Sequence, residues 1–131
     1  MSSQSVVLHI QIVDHLNNGS AQSYELLAQA QHNPRSYSYH EPDGSTLVNL
    51  TLNNDSILLN RDGSWKTEIH YKISGTGSFT VTSDVGIMRG EVILLRSLIN
   101  QDIIQLDYQL IMDRSVVTHQ TLTYNIRGAQ A

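Results

Sequence analysis

The chain has 131 residues, 40% of them hydrophobic and 15% charged, enough for one domain with one core and too evenly mixed for a disordered tract. The net charge is −4, with only 8 Lys and Arg together, which argues against nucleic acid as a partner because that partner selects a basic stripe. Cysteine is absent, so disulfides and thiolate metal sites are excluded, and a cytoplasmic address is the expectation.

Met1-Ser2-Ser3-Gln4-Ser5 carries no basic n-region. The apolar run after it is interrupted by His9, Gln11 and Asp14, so neither a signal peptide nor a membrane span is expected. Without a signal peptide, the Asn-x-Ser/Thr triplets at Asn18, Asn49 and Asn54 read as accidents of a β-type composition. Val6 to Val13 reads as a strand with Leu8, Ile10 and Ile12 inward, and Asn17-Asn18-Gly19-Ser20 turns it. Tyr24 to Ala30 has good helix propensity, but Tyr24, Leu26, Ala28 and Ala30 alternate with other residues in a short segment between turns. A strand is expected there.

His32-Asn33-Pro34 breaks the chain, and the next strand sets Tyr37 and Tyr39 on one face. After the Pro42-Asp43-Gly44 turn, Leu47 to Leu52 faces Val48, Leu50 and Leu52 inward. Asn53-Asn54-Asp55 leads into Ile57 to Arg61. The clearest alternation comes next. Between Asp62-Gly63 and Gly75, the residues Trp65, Thr67, Ile69, Tyr71 and Ile73 alternate with Lys66, Glu68, His70 and Lys72. One face is apolar or aromatic and the other charged, which is the signature of a half-buried antiparallel strand.

Ser78 to Thr82 continues after Gly75-Thr76-Gly77. Glu91 to Ile99 holds the dense run Val92-Ile93-Leu94-Leu95, which reads either as a strand buried on both faces or as a short helix. Ile103 to Met112 directs Ile104, Leu106, Tyr108, Leu110 and Met112 to one face, and Asp113-Arg114 makes a tight turn. Val116 to Ile126 returns with Leu122, Tyr124 and Ile126 inward, and Arg127 to Ala131 is a tail.

About 8–10 strands result, with turn signals about every 8–12 residues. The fold class is all-β: a single antiparallel, mostly up-and-down β-barrel over residues 1–131, preferred to a sandwich. Closure removes the free edges that a meander of this length would expose, and a barrel of this size holds its own side chains or one small ligand.

Tyr37-Ser38-Tyr39-His40-Glu41 before a turn, then Arg61-Asp62-Gly63, Tyr71, Gly75 and the strand Leu106-Asp107-Tyr108-Gln109-Leu110, resemble in order and spacing the DUF1934 or YwiB-like family of small bacterial proteins. The resemblance covers roughly residues 5–127. The chain departs from the pattern at Tyr39-His40-Glu41, where the family often has a Tyr-x-Glu-Glu type sequence. The resemblance implies a calycin-like barrel, similar in shape to lipocalins. It carries over no catalytic residue.

Few constellations suggest chemistry. The six histidines include no helical i,i+4 pair, and a zinc site would have to be assembled from different strands. Glu68 and His70 share a face, but the charged one, where solvent is the simpler explanation. No G-x-S-x-G elbow or Ser-x-x-Lys occurs, and Gly75-Thr76-Gly77 lacks the helix and Lys of a phosphate loop. No catalytic residue, metal ligand or cofactor is assigned, and the reading is of a binding module and not an enzyme.

Ligand binding is the stronger idea. Tyr39, Trp65, Tyr71, Tyr108 and Tyr124 fall on expected inward faces, and tyrosine and tryptophan combine an apolar body with a polar tip. Arg61 comes after Ile57 and Leu59 at period two, and Glu41 is its expected carboxylate partner. In one reading these seven residues hold a small, partly apolar ligand inside the barrel. In the other, the interior is filled, Arg61–Glu41 is a structural pair at one rim, and the protein acts through its outer face or as a homodimer.

Overall fold

The computed structural model describes residues 3–128. The segments with period-two alternation all form strands. β1 (Gln4–Asp14), β2 (Ser20–His32), β3 (Arg35–His40), β4 (Leu47–Leu52) and β5 (Ser56–Asp62) come first. β6 (Lys66–Lys72), β7 (Gly77–Ser83), β8 (Gly86–Ile99), β9 (Ile103–Met112) and β10 (Ser115–Gly128) complete the set. Each strand pairs antiparallel with the next, and β10 returns to β1 to close an up-and-down barrel. Among the described residues no helix is long and apolar enough to cross a membrane. Of the expected C-terminal tail, Arg127 and Gly128 belong to β10, and residues 129–131 lie outside the described residues.

Turn chemistry sets the register. Asn18 (φ 56°) and Gly19 (φ 68°) occupy the left-handed region between β1 and β2, where Asn and Gly are the least penalised residues. Asp113 (φ 50°) and Arg114 (φ 66°) do the same between β9 and β10, giving a two-residue hairpin whose twist matches the flanking strands. With register fixed, alternate residues share a face. Leu8, Ile10, Leu50, Ile57, Ile104, Leu106 and Tyr124 are all within the interior, with at most 1% of their surface exposed. Tyr24 to Ala30 lies wholly within β2, because Ala28 and Ala30 enter the core while Glu25, Leu27 and Gln29 remain outside. Tertiary burial overrides the local helix propensity there.

Gly90 stands across from Phe79 in the β7–β8 pairing. A Cβ at this position would lie 2.4 Å from the Phe79 ring and 2.2 Å from the Ile111 carbonyl oxygen. The bare glycine is what leaves room for the ring.

Two expectations fail. Trp65 does not face the interior. It sits in the β5–β6 turn, where the Gly63 amide donates to its carbonyl at 3.1 Å, and it is 51% exposed. Its parity matches Thr67, Ile69 and Tyr71, but a residue in the bend no longer obeys the pleat. Ile73, just past the other end of β6, is exposed for the same reason. The second failure is the Glu91–Ile99 run, which is a strand but is not buried on both faces. β7 accompanies β8 only as far as Val92, and a register shift between Leu94 and Arg96 re-aims the last residues of the strand. Val92 is therefore buried, while Leu95, Leu98 and Ile99 are exposed.

Candidate functional site

The turns β1–β2, β3–β4, β5–β6, β7–β8 and β9–β10 gather at one end of the barrel. A cavity of about 630 Å³ opens there. Its apolar wall comes from inward residues of β1, β4, β5, β6, β9 and β10: Ile10, Ile12, Val48, Leu59, Ile69, Leu110 and Leu122. Its polar lining includes Gln22, Glu41, Arg61, Thr67, Thr118, Gln120 and the tyrosines Tyr24, Tyr39, Tyr108 and Tyr124.

Five of the seven expected site residues line this space: Tyr39, Glu41, Arg61, Tyr108 and Tyr124. Tyr71 lies beneath it, fully buried, its ring edge-on to Tyr108 at 4.9 Å between centroids. Trp65 is outside, in its turn.

At the rim, the Arg61 guanidinium donates from Nε to Glu41 Oε2 at 2.7 Å and from one terminal nitrogen to Oε1 at 2.6 Å. This two-pronged geometry is the strong form of an arginine–carboxylate pair. It keeps the Arg61 pKa raised, through the hydrogen bonds to Glu41. The Glu41 end is held by a tight loop. Its amide donates to the Thr46 carbonyl at 2.9 Å, and its carbonyl accepts from the Gly44 amide at 2.9 Å. Asp43 organises that loop: it accepts the Thr46 hydroxyl at 2.6 Å and the Ser45 and Thr46 amides at 2.9 Å each. These bonds, led by the Thr46 hydroxyl, hold the Asp43 carboxyl down to about 2.

Deeper in, Tyr39 and Tyr124 share a hydroxyl–hydroxyl hydrogen bond of 2.6 Å with their rings edge-on. Tyr108 donates to Gln120 Oε1 at 2.8 Å. The Tyr71 hydroxyl is buried with no hydrogen-bond partner among the described residues. Burial pushes Tyr39, Tyr71, Tyr108 and Tyr124 above the ordinary phenol value, because a phenolate is poorly solvated there. They are therefore neutral hydroxyls at physiological pH, able both to donate and to accept. The site can seat a molecule with an apolar body and hydrogen-bonding groups. No nucleophile–base pair is formed by the residues that line it.

The charged face of β6 is solvated as its pattern implied: His70 and Glu68 meet at 3.0 Å, both well exposed. A different group was not legible in the sequence. His15, just past the end of β1, Asp107 of β9 and His119 of β10 come together on the outer surface with ligand-type atoms within 4.8 Å of one another. Outward parity on each strand was the only available signal.

The barrel is similar to the YwiB protein of Bacillus subtilis. That crystal structure superposes with a TM-score of 0.71 at 15% sequence identity, covering 98% of this chain and 94% of the other. At this identity the likeness is one of fold, and the ten-strand closed barrel is a YwiB-like fold. No family model matches the chain, and no curated protein matches it.

Proposed function

We propose that this is a non-enzymatic member of the DUF1934 or YwiB-like family, a calycin-like cytoplasmic barrel that binds one small, partly apolar molecule in the mouth beside Arg61. The observation that carries the reading is the cavity of about 630 Å³, lined by Tyr24, Tyr39, Tyr108 and Tyr124 beside an aliphatic wall. That volume and lining are those of ordinary small-molecule sites. Shared barrel shape and the residue order from Tyr37 to Leu110 support the family placement. Glu41 already neutralises two guanidinium donors of Arg61. A polar head at the rim therefore meets an ion pair, and an anionic head has to share Arg61 with Glu41. A polar, uncharged head fits without disturbing the pair.

Native mass spectrometry of untagged, freshly purified protein tests the proposal. The expected result is a bound species of small-molecule mass that is lost on denaturation and absent from the Arg61→Ala variant. A clean apo mass at every stage, with no small-molecule stabilisation in a thermal-shift library, counts against it.

A second reading has its own support. Tyr71 and Tyr124, among the largest fully buried side chains, plug the middle of the barrel, while Leu98, opposite the outward Gln105, and Leu95 at the register shift give β8 an exposed apolar face. A filled barrel acting through that face, or as a homodimer, predicts self-association in sedimentation analysis that Leu95→Glu reverses.

A further inference from the structure

We infer that the outer surface of the barrel carries a binding site for one divalent transition-metal ion, built from His15, Asp107 and His119 across the seam where the first and last strands meet. This site is separate from the tyrosine-lined mouth and does not depend on it.

The placement comes from strand parity. Leu8 and Ile10 point inward on β1, so the odd positions point outward, and His15 continues that series just beyond the strand end. On β10, Leu122 and Tyr124 point inward, so His119 and Thr121 point outward. On β9, Leu106 and Tyr108 point inward and Asp107 outward. Barrel closure then sets the three side by side. The His15 amide donates to the His119 carbonyl at 2.8 Å, extending the β1–β10 ladder by one step. Asp107 pairs with Thr121, so it lies diagonal to His119. Diagonal cross-strand neighbours are within reach of long side chains.

The side chains present the right atoms. His119 Nε2 is 3.0 Å from Asp107 Oδ1. The two imidazole rings lie 4.5 Å apart, centroid to centroid, tilted by 41°. His15 Nε2 is 2.7 Å from the Thr121 hydroxyl. The ligating atoms of all three residues fall within 4.8 Å of one another. A neutral imidazole with its proton on Nδ1 offers a lone pair at Nε2, so small rotations of two rings bring two nitrogens and one carboxylate oxygen around a common point. Asp107 and His119 are partly buried, which limits their freedom, and His15 closes the site from the exposed side.

The donor set defines the cation. Two imidazoles and one carboxylate suit zinc, nickel or copper, while magnesium and calcium select all-oxygen sites. A fourth position stays open to solvent. Arg96, 3.6 Å from Asp107 Oδ2 and largely exposed, orients the carboxylate from behind. Its positive charge opposes a cation, but solvent screens it at that exposure. Because the ion links β1 to β9 and β10, it fastens the strands that close the barrel, so binding must register as stability.

Untagged protein, stripped with chelator, is monitored by thermal unfolding and calorimetry with zinc, nickel or magnesium chloride. Zinc and nickel are expected to raise Tm saturably with a stoichiometry of one, and magnesium to leave it unchanged. His119→Ala and Asp107→Asn are expected to weaken zinc binding at least about tenfold. His15→Gln, at an exposed position that keeps the apo fold, is expected to do the same, which separates lost ligation from lost folding. The inference is overturned if zinc produces no saturable shift, or if the shift survives His15→Gln and His119→Ala and so arises at other histidines.

Discussion

The two mouths of the barrel use an arginine differently. At one, Arg61 of β5 is clamped by the Glu41 carboxylate at the edge of a cavity of about 630 Å³. At the other, Arg35 of β3 lies over the Tyr37 ring at 5.5 Å. It also donates from Nε to the Tyr37 hydroxyl at 2.8 Å and reaches the Gln101 carbonyl in the β8–β9 turn at 3.3 Å. The space there is smaller, about 410 Å³. Arg35 is a strap: its stem and ring contact cover the end of the core, and its charge has no carboxylate partner among the described residues. Arg61 is a rim post, its charge neutralised and its position fixed by the Asp43 loop. An arginine at a barrel mouth can therefore seal it or frame it, and the partner decides which.

The core between the mouths gives the largest test. Leu106 is fully buried in that middle layer. Leu106→Ala is expected to cost about 3 kcal/mol, the transfer loss plus an unfilled cavity. Urea unfolding monitored by tyrosine fluorescence measures it. If the loss is below about 1 kcal/mol, the layer is loosely packed, and the mouths are better regarded as one continuous space.

Next comes the arginine pair itself. Arg61→Ala leaves Glu41 unpaired at a position only 17% exposed. The expected loss is about 1 kcal/mol, small because the Arg61 side chain is 45% exposed and solvent screens the pair. Arg35→Ala loses a cation–π contact and a hydrogen bond, about 0.5–1 kcal/mol. The sharper discriminator is ligand response. Stabilisation by a bound small molecule should vanish in Arg61→Ala and persist in Arg35→Ala. The reverse pattern moves the site to the Tyr37 end.

How much of this was legible depends on where each residue sits relative to a strand. Leu8, Ile10, Ile104, Leu106 and Tyr124 lie mid-strand, where parity alone sets direction, and all are buried as their patterns required. The fit of Arg61 to Glu41 needed only parity and a charge count. Trp65 departs from its pattern because a turn ends the parity one residue before β6 begins. The second half of β8 departs from its apolar pattern because a one-residue slip opposite Tyr108 and Asp107 leaves no trace in the residue types. The His15–Asp107–His119 group required knowing that β10 returns to β1. That pairing brings His15 to Thr121, 106 residues away in the chain. Residue types announce local chemistry, but a site made by closure is a property of topology.

The smallest expected effect concerns why one mouth keeps its post. Asp43 does not touch Arg61. It holds the loop that presents Glu41, through the Thr46 hydroxyl and two backbone amides. Those bonds favour the carboxylate, so its folded value is lowered from 3.8 to about 2. A lowered folded value means that the unfolded chain takes up the proton first. The stabilising contribution is thus complete above 3.8 and fades as pH falls through about 2. Asp43→Asn keeps the acceptor oxygen but removes the charge and one acceptor. Its stability should therefore run parallel to the parent at neutral pH, at a slightly lower level, and converge on it as the pH drops through that window. Tm measured in steps from pH 5 to pH 2 tests this. A gap that stays constant would mean that the loop depends on hydrogen-bond geometry and not on charge, and would remove acid sensitivity as a difference between the two mouths, since Arg35 relies on no carboxylate.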